Sequence, residues 1–128
     1  MKKIYFSLII FGLILAACQL KQNYTMQYGF SNEIITASQT SEAKDGFKIE
    51  LPFADFSCDA KSFKAVLNRK ENNFTITLNG VETQERCSQK FFAEVAGIKQ
   101  GDYWLKIIYQ KNQEEILVFS EALKISNN

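Results

Sequence analysis

Histidine is absent from this chain of 128 residues. Without imidazole, neither a Ser-His or Cys-His catalytic pair nor a histidine-ligated metal site can be built. Asp55 and Asp59 could supply paired carboxylates, but in a loop rich in Asp and Ser they are more simply solvated turn residues. The sequence also has no glycine-rich phosphate loop and no zinc-ligand spacing. We therefore expect no catalytic residue, no metal site and no cofactor.

An excess of either charge is also lacking, since 15 Lys and Arg stand against 14 Asp and Glu. Proteins that bind nucleic acid usually carry a strong basic excess or a basic stripe. We expect no nucleic-acid partner. Proline occurs once, at Pro52, and no internal repeat or low-complexity tract marks a second domain.

The first residues have the composition of a bacterial export signal. Two lysines near the start precede an apolar run, residues 4–15, and polar residues follow Cys18 at once. A transmembrane helix would need about 20 apolar residues, and an ordinary secretory signal is the other alternative. The ending Leu15-Ala16-Ala17-Cys18 resembles the lipobox of bacterial lipoproteins.

This resemblance implies that residues 1–17 are removed and that Cys18 becomes an acylated N-terminus in the lipid bilayer. Two or more acyl chains give a stable membrane anchor. Lipoproteins kept at the inner membrane commonly have Asp after the lipidated cysteine, whereas this chain has Gln19. The resemblance therefore implies an outer-membrane protein that faces the periplasm if the host is Gram-negative, and a cell-surface protein if it is Gram-positive.

The remaining cysteines are Cys58 and Cys87. Two thiols outside the cytoplasm predict one disulfide. A metal or redox site is the alternative, but it lacks a CxxC motif and a second type of ligand. Closing a loop of about 30 residues would stabilise the fold by roughly 3 to 4 kcal/mol.

The pattern of the mature chain changes at Gly46. Residues 18–45 are polar, and we expect a lipidated N-terminus and tether with at most one edge strand, where Tyr24, Met26 and Phe30 alternate. Residues 46–128 show repeated period-two alternation separated by turns, which predicts about seven short strands. The fold class expected is all-β, a small antiparallel β-sandwich of immunoglobulin-like or transthyretin-like type with one disulfide.

The firmest local prediction is a hairpin at Asn79-Gly80, because both residues tolerate the positive φ of a type I′ turn. Its register would pair Leu78 with Val81. A second prediction concerns the end of the chain, where residues 116–125 would form one strand bent at Ser120-Glu121.

The stretch from Gly101 to Tyr103 resembles the Gly-x-Tyr entry to a late strand in immunoglobulin-like and fibronectin-type sandwiches. The resemblance implies that the Tyr103 hydroxyl closes a corner of the fold. Leu105 stands where antibody-type domains have their second cysteine. The bridge between Cys58 and Cys87 would therefore differ from the usual inter-sheet pair.

Three residues are candidates for a binding surface. Trp104 alternates with core residues and would point outward as an anchor, unless a second layer covers it together with Ile108. Phe92, beside Phe91, would likewise face either a second layer or an exposed patch. Lys99 lies in a turn.

These features favour a non-enzymatic, membrane-anchored module that binds another protein of the cell envelope. An inhibitor of an external enzyme such as host lysozyme is the alternative, because such inhibitors are also small disulfide-bonded β lipoproteins. An inhibitor would need a loop that fills an enzyme cleft. The segment around Cys58 or Lys99-Gln100-Gly101 is the nearest candidate.

Overall fold

Alternation of apolar and polar residues is realised as β-strands along the chain. The computed structural model describes residues 24–126, without the side chains of residues 53–56, 60, 88 and 89. The strands are β1 (Thr25–Ser31), β2 (Gln39–Ala43), β3 (Gly46–Ser57), β4 (Lys64–Lys70), β5 (Asn73–Asn79), β6 (Arg86–Ala96), β7 (Gly101–Lys111) and β8 (Glu114–Ile125), with a 3-10 turn at Ala60–Ser62. Residues 1–17, predicted to be a signal sequence, and Cys18 lie outside the described residues.

Two four-stranded sheets form a β-sandwich. The first has the order β1-β6-β3-β2 and the second the order β4-β5-β7-β8. The expected sandwich is confirmed, with eight strands in the described residues rather than about seven. One pair departs from a purely antiparallel arrangement, because β5 and β7 are parallel. The chain crosses to the first sheet as β6 between them, so it returns to the second sheet in its original direction.

The inner faces of both sheets share one hydrophobic core. A fully buried Val, Leu, Ile or Phe side chain contributes roughly 1.5 to 3 kcal/mol relative to the exposed side chain. The faces predicted from alternation are confirmed, because the following residues are buried: Phe47, Ile49, Leu51, Phe74, Ile76, Leu78, Phe91, Ala93, Val95, Tyr103, Leu105 and Ile107.

Two strands, β1 and β2, lie in the segment that the sequence analysis gives to a tether with at most one edge strand. In β1, Met26 and Phe30 pack against the core, and the strand extends the first sheet beside β6. In β2, residues 39–43 pair with β3 at the opposite edge. The sequence of β2 is QTSEA, which is polar on both faces and therefore gives no period-two signal.

The predicted hairpin at Asn79-Gly80 is wrong. Strand β5 ends at Asn79, and the next strand, β6, belongs to the other sheet. Glycine is needed at position 80 for another reason, because a Cβ there would lie 2.9 Å from the ring of Phe63. The hairpin partner of β5 is β4, through a two-residue turn in which Glu71 has a φ of 56°.

The disulfide between Cys58 and Cys87 is confirmed, with Cα atoms 5.0 Å apart. It joins the chain just after β3 to the start of β6, which are neighbours in the first sheet. Hydrogen bonds support the same region: the hydroxyl of Ser57 donates to the carbonyl of Val81 (2.6 Å), and the Cys58 amide donates to Thr83 Oγ1 (3.0 Å). The bridge therefore lies within one sheet, as expected.

The corner at Tyr103 is also present. The Tyr103 hydroxyl donates a hydrogen bond to the carbonyl oxygen of Lys99, 2.7 Å away. The ring itself is buried against Phe74. This hydrogen bond thus holds the connection between β6 and β7 close to the start of β7.

Strand β8 is one continuous strand with a bulge at Val118. Ile107 pairs with Phe119 and Ile108 pairs with Leu117, so Val118 has no residue opposite it. The expected bend at Ser120-Glu121 is therefore wrong by two positions. The irregularity falls inside the apolar run, where an extra residue shifts which side chains face the core.

The sandwich has two distinct ends. Strand β1 begins at the end that carries the β2–β3 turn and residues 97–100, since Thr25 and Gly46 both pair with Ala96. We call this the entry end. The opposite end carries the bridge at Cys58 and the turn between β7 and β8, and we call it the disulfide end.

Candidate binding surface

The solvent-facing side of the second sheet carries a row of side chains, one from each strand. Val66 pairs with Thr77, Thr77 with Ile108, and Ile108 with Leu117. Val66 is 50% exposed and Leu117 58% exposed at the two ends of the row, and the two central residues are half-buried. We call these four residues the outer row. In β4, β5 and β7 the residues on either side of the outer row face the core, so the outer row faces solvent, and in β8 Leu117 is itself exposed.

Polar rows border the outer row on both sides. Towards the entry end the next row outward is Asn68, Thr75, Lys106 and Ser120, and towards the disulfide end it is Lys64, Asn79, Gln110 and Glu115. An apolar centre with a polar border is the usual anatomy of a protein interface.

The apolar surface continues onto the edge of the sheet. In β8, Ile116 is 39% exposed and Val118 is 37% exposed, on either side of Leu117. Strand β8 has a neighbour on one side only. Period two cannot place four consecutive apolar residues of an edge strand in the core, so the run Ile-Leu-Val-Phe itself was the sequence signal for this surface.

The second half of β8 is covered by the first sheet. Thr40 donates to the carboxylate of Glu121 (3.1 Å), and Ser126 donates to the carboxylate of Glu42 (3.2 Å). Both contacts join the edge strand β2 to residues after the bulge. The exposed apolar segment, Ile116 to Val118, precedes them.

Trp104 lies on the same outer face, nearer the entry end. Its side chain is 41% exposed, and its indole N–H donates to the hydroxyl of Ser120 at 2.7 Å. Of the two alternatives for this residue, the exposed one holds within the described residues, since no second layer of residues 24–126 covers it.

Phe92 and Lys99 lie elsewhere. Phe92 belongs to β6, in the first sheet, and is 41% exposed on the opposite outer face of the sandwich. Its ring crosses the edge strand over Gly29, where a Cβ would lie 2.5 Å from the ring tip. Lys99 is exposed in the loop at the entry end. The structure therefore does not bring Trp104, Phe92 and Lys99 onto one surface, and their role in binding stays a prediction.

A charged cluster closes the disulfide end. The Tyr109 hydroxyl and Arg86 both donate to the carboxylate of Glu82, the arginine at 2.8 Å. Burial alone would raise the pKa of Glu82, but these two hydrogen bonds outweigh it and hold the pKa below its ordinary value of 4.5. Burial and the same carboxylate raise the pKa of Tyr109 to about 12. The hydrogen bond to Glu82 is the main reason that the pKa of Arg86 is raised.

Lys90 forms the second charged cluster, on the first sheet. Its ammonium group contacts the carboxylates of Glu33 at 2.6 Å and Glu50 at 3.4 Å. The hydrogen bond to Glu33 raises the pKa of Lys90, against the effect of burial. The contact fixes the β1–β2 connection, which carries Ile34 with 81% of its surface exposed.

An open groove of about 480 Å³ lies at the disulfide end, beside Gly80, Val81 and Glu82. The one carboxylate that lines it, Glu82, is held by Tyr109 and Arg86 rather than directed into the groove. Among the side chains that the structure describes, which do not include that of Asp55, no group of three or more Cys, Asp and Glu could hold a metal ion. The same residues include no helix with the length and apolarity to cross a membrane.

Comparison with known proteins gives no relative, because no family model, no curated protein and no solved structure matches the chain. The function is therefore argued from the surface of the molecule.

Proposed function

We propose that this chain is a lipid-anchored protein of the bacterial cell envelope that binds another envelope protein without catalysing a reaction. The outer row and the adjoining edge of β8 are the binding surface. Acylated Cys18 is the anchor, most simply in the outer membrane with the sandwich in the periplasm. The observation that carries the proposal is the row of exposed apolar side chains at Val66 and at Ile116 to Val118, joined across the sheet by half-buried Thr77 and Ile108.

The chemistry of this surface suits a protein partner. Its centre is aliphatic, its border is polar, and it lies on a sheet whose other face is part of the core. Contiguous exposed apolar surface on a small domain marks an interaction site more often than chance exposure. A rigid sheet also loses little conformational entropy when a partner binds.

The edge of β8 offers a second mode of contact. An uncovered edge strand presents backbone N–H and C=O groups to which an extended segment of a partner can add. The opposite edge of the same sheet, β4, carries Lys64, Arg69 and Lys70, which are the charges that usually discourage such pairing. Strand β8 also carries charged residues at both ends, but its segment Ile116 to Phe119 is uncharged, and that segment is the one that suits a partner.

The anchor is supported by the sequence features already described. A basic start, a short apolar run and Leu15-Ala16-Ala17-Cys18 resemble the lipoprotein signal. Five residues, and so six residue-to-residue steps, separate Cys18 from Tyr24, the first described residue. At full extension they span at most about 20 Å, which would keep the sandwich close to the membrane.

The inhibitor alternative lacks a supporting observation. Residues 97–100, which carry Lys99, form a short connection whose Ile98 amide is bound to the carbonyl of Asp45 at 2.8 Å. The segment after Cys58 is bound by the disulfide and by a hydrogen bond from Ser62 to Asp59. Neither has the reach that filling an enzyme cleft requires, so we propose the adaptor alone.

In-cell photo-crosslinking tests the surface. A photoreactive residue at Leu117 should capture one stoichiometric envelope protein, and the same residue at Lys48, on the outer face of the other sheet, should not. The variant Leu117→Lys should abolish capture and leave the melting temperature unchanged, because position 117 is exposed. Equal capture from both positions, or none from Leu117, would refute the binding surface.

Substitution of Cys18 tests the anchor separately. The variant Cys18→Ser should remain an unprocessed precursor or become soluble, because no thiol remains to be lipidated. Cell fractionation and mass spectrometry of the N-terminus provide the readout. A mature-sized, membrane-bound product from Cys18→Ser would show that the lipoprotein interpretation is wrong.

A further inference from the structure

Trp104 is surrounded by lysines on the outer face of the second sheet. Asn73 lies beside it in β5 and continues the row to Lys70 in β4. Lys106 follows in the same strand, and Lys124 lies one row away in β8, opposite Asp102. All these charged side chains are exposed. Three lysines against one aspartate give this patch, here called the Trp104 patch, a net positive charge although the whole chain is nearly neutral.

The Trp104 patch lies at the same level of the sandwich as the point at which the chain enters it, on the other side of the second sheet. The ring of Tyr24 packs edge-on against Phe74 with centroids 6.0 Å apart. Phe74 follows Asn73, the residue that pairs with Trp104, and the Trp104 amide donates to the carbonyl of Asn72 at 2.9 Å. The outer row, by contrast, lies towards the disulfide end.

From this placement we infer that the Trp104 patch binds the anionic lipid surface of the membrane that holds the anchor. The inference rests on the proposed lipidation of Cys18. A tether of at most about 20 Å keeps the entry end within reach of the headgroups, and the disulfide end faces away. The sandwich then stands with its entry end at the membrane, and the outer row, which begins four residues farther along β7 on the same face, lies beyond the headgroups where a partner can reach it.

The chemistry of the patch matches a bilayer interface. Tryptophan favours the headgroup level, where its ring is apolar and its N–H is satisfied, and here Ser120 already accepts the indole hydrogen bond. Lysine stems lie along apolar surface while their ammonium groups reach phosphates. Loop charges at the entry end are balanced, with Lys44 and Lys99 against Asp45 and Glu71. The positive excess therefore belongs to the face that carries the tryptophan.

Trp104 is the only tryptophan in the chain, so its fluorescence reports the contact directly. The experiment uses the mature lipoprotein, purified in detergent and reconstituted into vesicles of phosphatidylethanolamine and phosphatidylglycerol. We expect a blue-shifted emission and quenching by lipids brominated near the headgroup. In phosphatidylcholine vesicles, or at high salt, the quenching should fall, because screening removes the lysine contribution.

Matched variants distinguish a contribution of lysine charge to the membrane contact from the mere closeness of an anchored protein to the bilayer. Each of Lys106→Gln and Lys124→Gln should weaken the membrane contact about fivefold at low salt. Lys64→Gln is the control, because Lys64 lies on the same face at the disulfide end. A displaced reporter, Leu117→Trp combined with Trp104→Phe, should be quenched less, since the outer row lies farther along the strands from the entry end.

Flotation of the vesicles shows whether the protein is anchored, and quenching shows which tryptophan contacts the lipid. Protein that floats with its Trp104 quenched and its Leu117→Trp reporter quenched less supports the inference. Protein that floats without quenching of Trp104, or with both reporters equally quenched, overturns it and leaves the lipid anchor intact. Protein that does not float refutes the anchor, and with it this inference.

Discussion

At the scale of single residues, Gly46 and Gly101 both lie at the entry end but differ in what an added methyl group would meet. A Cβ at Gly46 would lie 1.7 Å from the backbone oxygen of Val95, whereas the nearest atom for Gly101 is in the Tyr103 ring at 3.4 Å. Backbone of a paired strand cannot move aside as a side chain can. Gly46 is therefore needed for the close approach of β3 and β6.

The variant Gly46→Ala should lower the free energy of unfolding by about 3 kcal/mol or more, because overpacking forces the two strands apart. Gly101→Ala is the matched control and should leave stability unchanged or raise it by about 0.5 kcal/mol. Urea denaturation followed by circular dichroism measures both. Similar stability of the two variants would contradict this account of Gly46.

The cluster of Glu82, Arg86 and Tyr109 makes stability depend on pH. The pKa of Glu82 is lowered in the folded state, so its contribution is present above its ordinary pKa of 4.5 and is lost as the pH falls through the lower folded value. The pKa of Tyr109 is raised from 10 to about 12. Its contribution is complete below pH 10 and is lost as the pH rises towards 12.

Glu82→Gln should cost about 1 to 2 kcal/mol at neutral pH, because two charge-assisted hydrogen bonds are weakened. The loss of stability on acidification below pH 4.5 should be smaller in this variant than in the unaltered protein. The free energy of unfolding measured across the acid range tests this. Glu85→Gln, at an exposed neighbour, is the control, and an identical acid response in both variants would rule the mechanism out.

At the scale of elements, the bulge in β8 has a simple test. Because Val118 has no residue opposite it, its deletion would leave every existing pair between β7 and β8 in place. We expect this deletion to cost less than about 1 kcal/mol, since the regular ladder replaces the bulge.

Deletion of Ser120 is the matched control, because Phe119 would then move opposite Lys106, out of the core, and the smaller Val118 would take its place opposite Ile107. This deletion should destabilise the sandwich strongly. Thermal unfolding compares the two proteins. If removal of Val118 proved as damaging as removal of Ser120, the register given for β8 would be wrong.

Elements with clean alternation, such as residues 47–51 and 74–78, could be predicted from the sequence because one face of each is buried. Which strands pair with one another could not be predicted from the sequence. The hairpin at Asn79-Gly80 failed because Gly80 serves the packing of Phe63 rather than a turn, and the long crossover to β6 leaves no local pattern. Strand pairing depends on contacts far apart in sequence, which periodicity does not record.

The candidate surface, too, could be predicted only in part from periodicity within single strands. Exposure of Trp104 follows from alternation within one strand. The outer row does not, because Val66, Thr77, Ile108 and Leu117 come from four strands whose order and register are needed to place them together. Phe92 and Trp104 are both candidates for a binding surface from the sequence, but the two lie on different sheets.

At the scale of the whole molecule, the disulfide is the main covalent constraint. It closes a loop with a sequence separation of 29 residues, which corresponds to about 3 to 4 kcal/mol in the chain-entropy model. Reduction should therefore lower the melting temperature by on the order of 15 °C. Calorimetry with and without reductant measures it, with Cys58→Ser combined with Cys87→Ser as the control that reductant should not affect. An unchanged melting temperature in the unaltered protein would disprove the dependence.

The parallel pair of β5 and β7 has a consequence for how the protein reaches its native state. Pairing of β5 with β7 must close a loop that contains all of β6, and only the addition of β6 to the first sheet offsets the entropy lost in closing it. Half a sandwich is therefore not an autonomous folding unit. The two sheets should appear together in a single cooperative transition, and the non-local pairing should make that transition slow. A chain exported across a membrane would stay unfolded until nearly all of it had emerged.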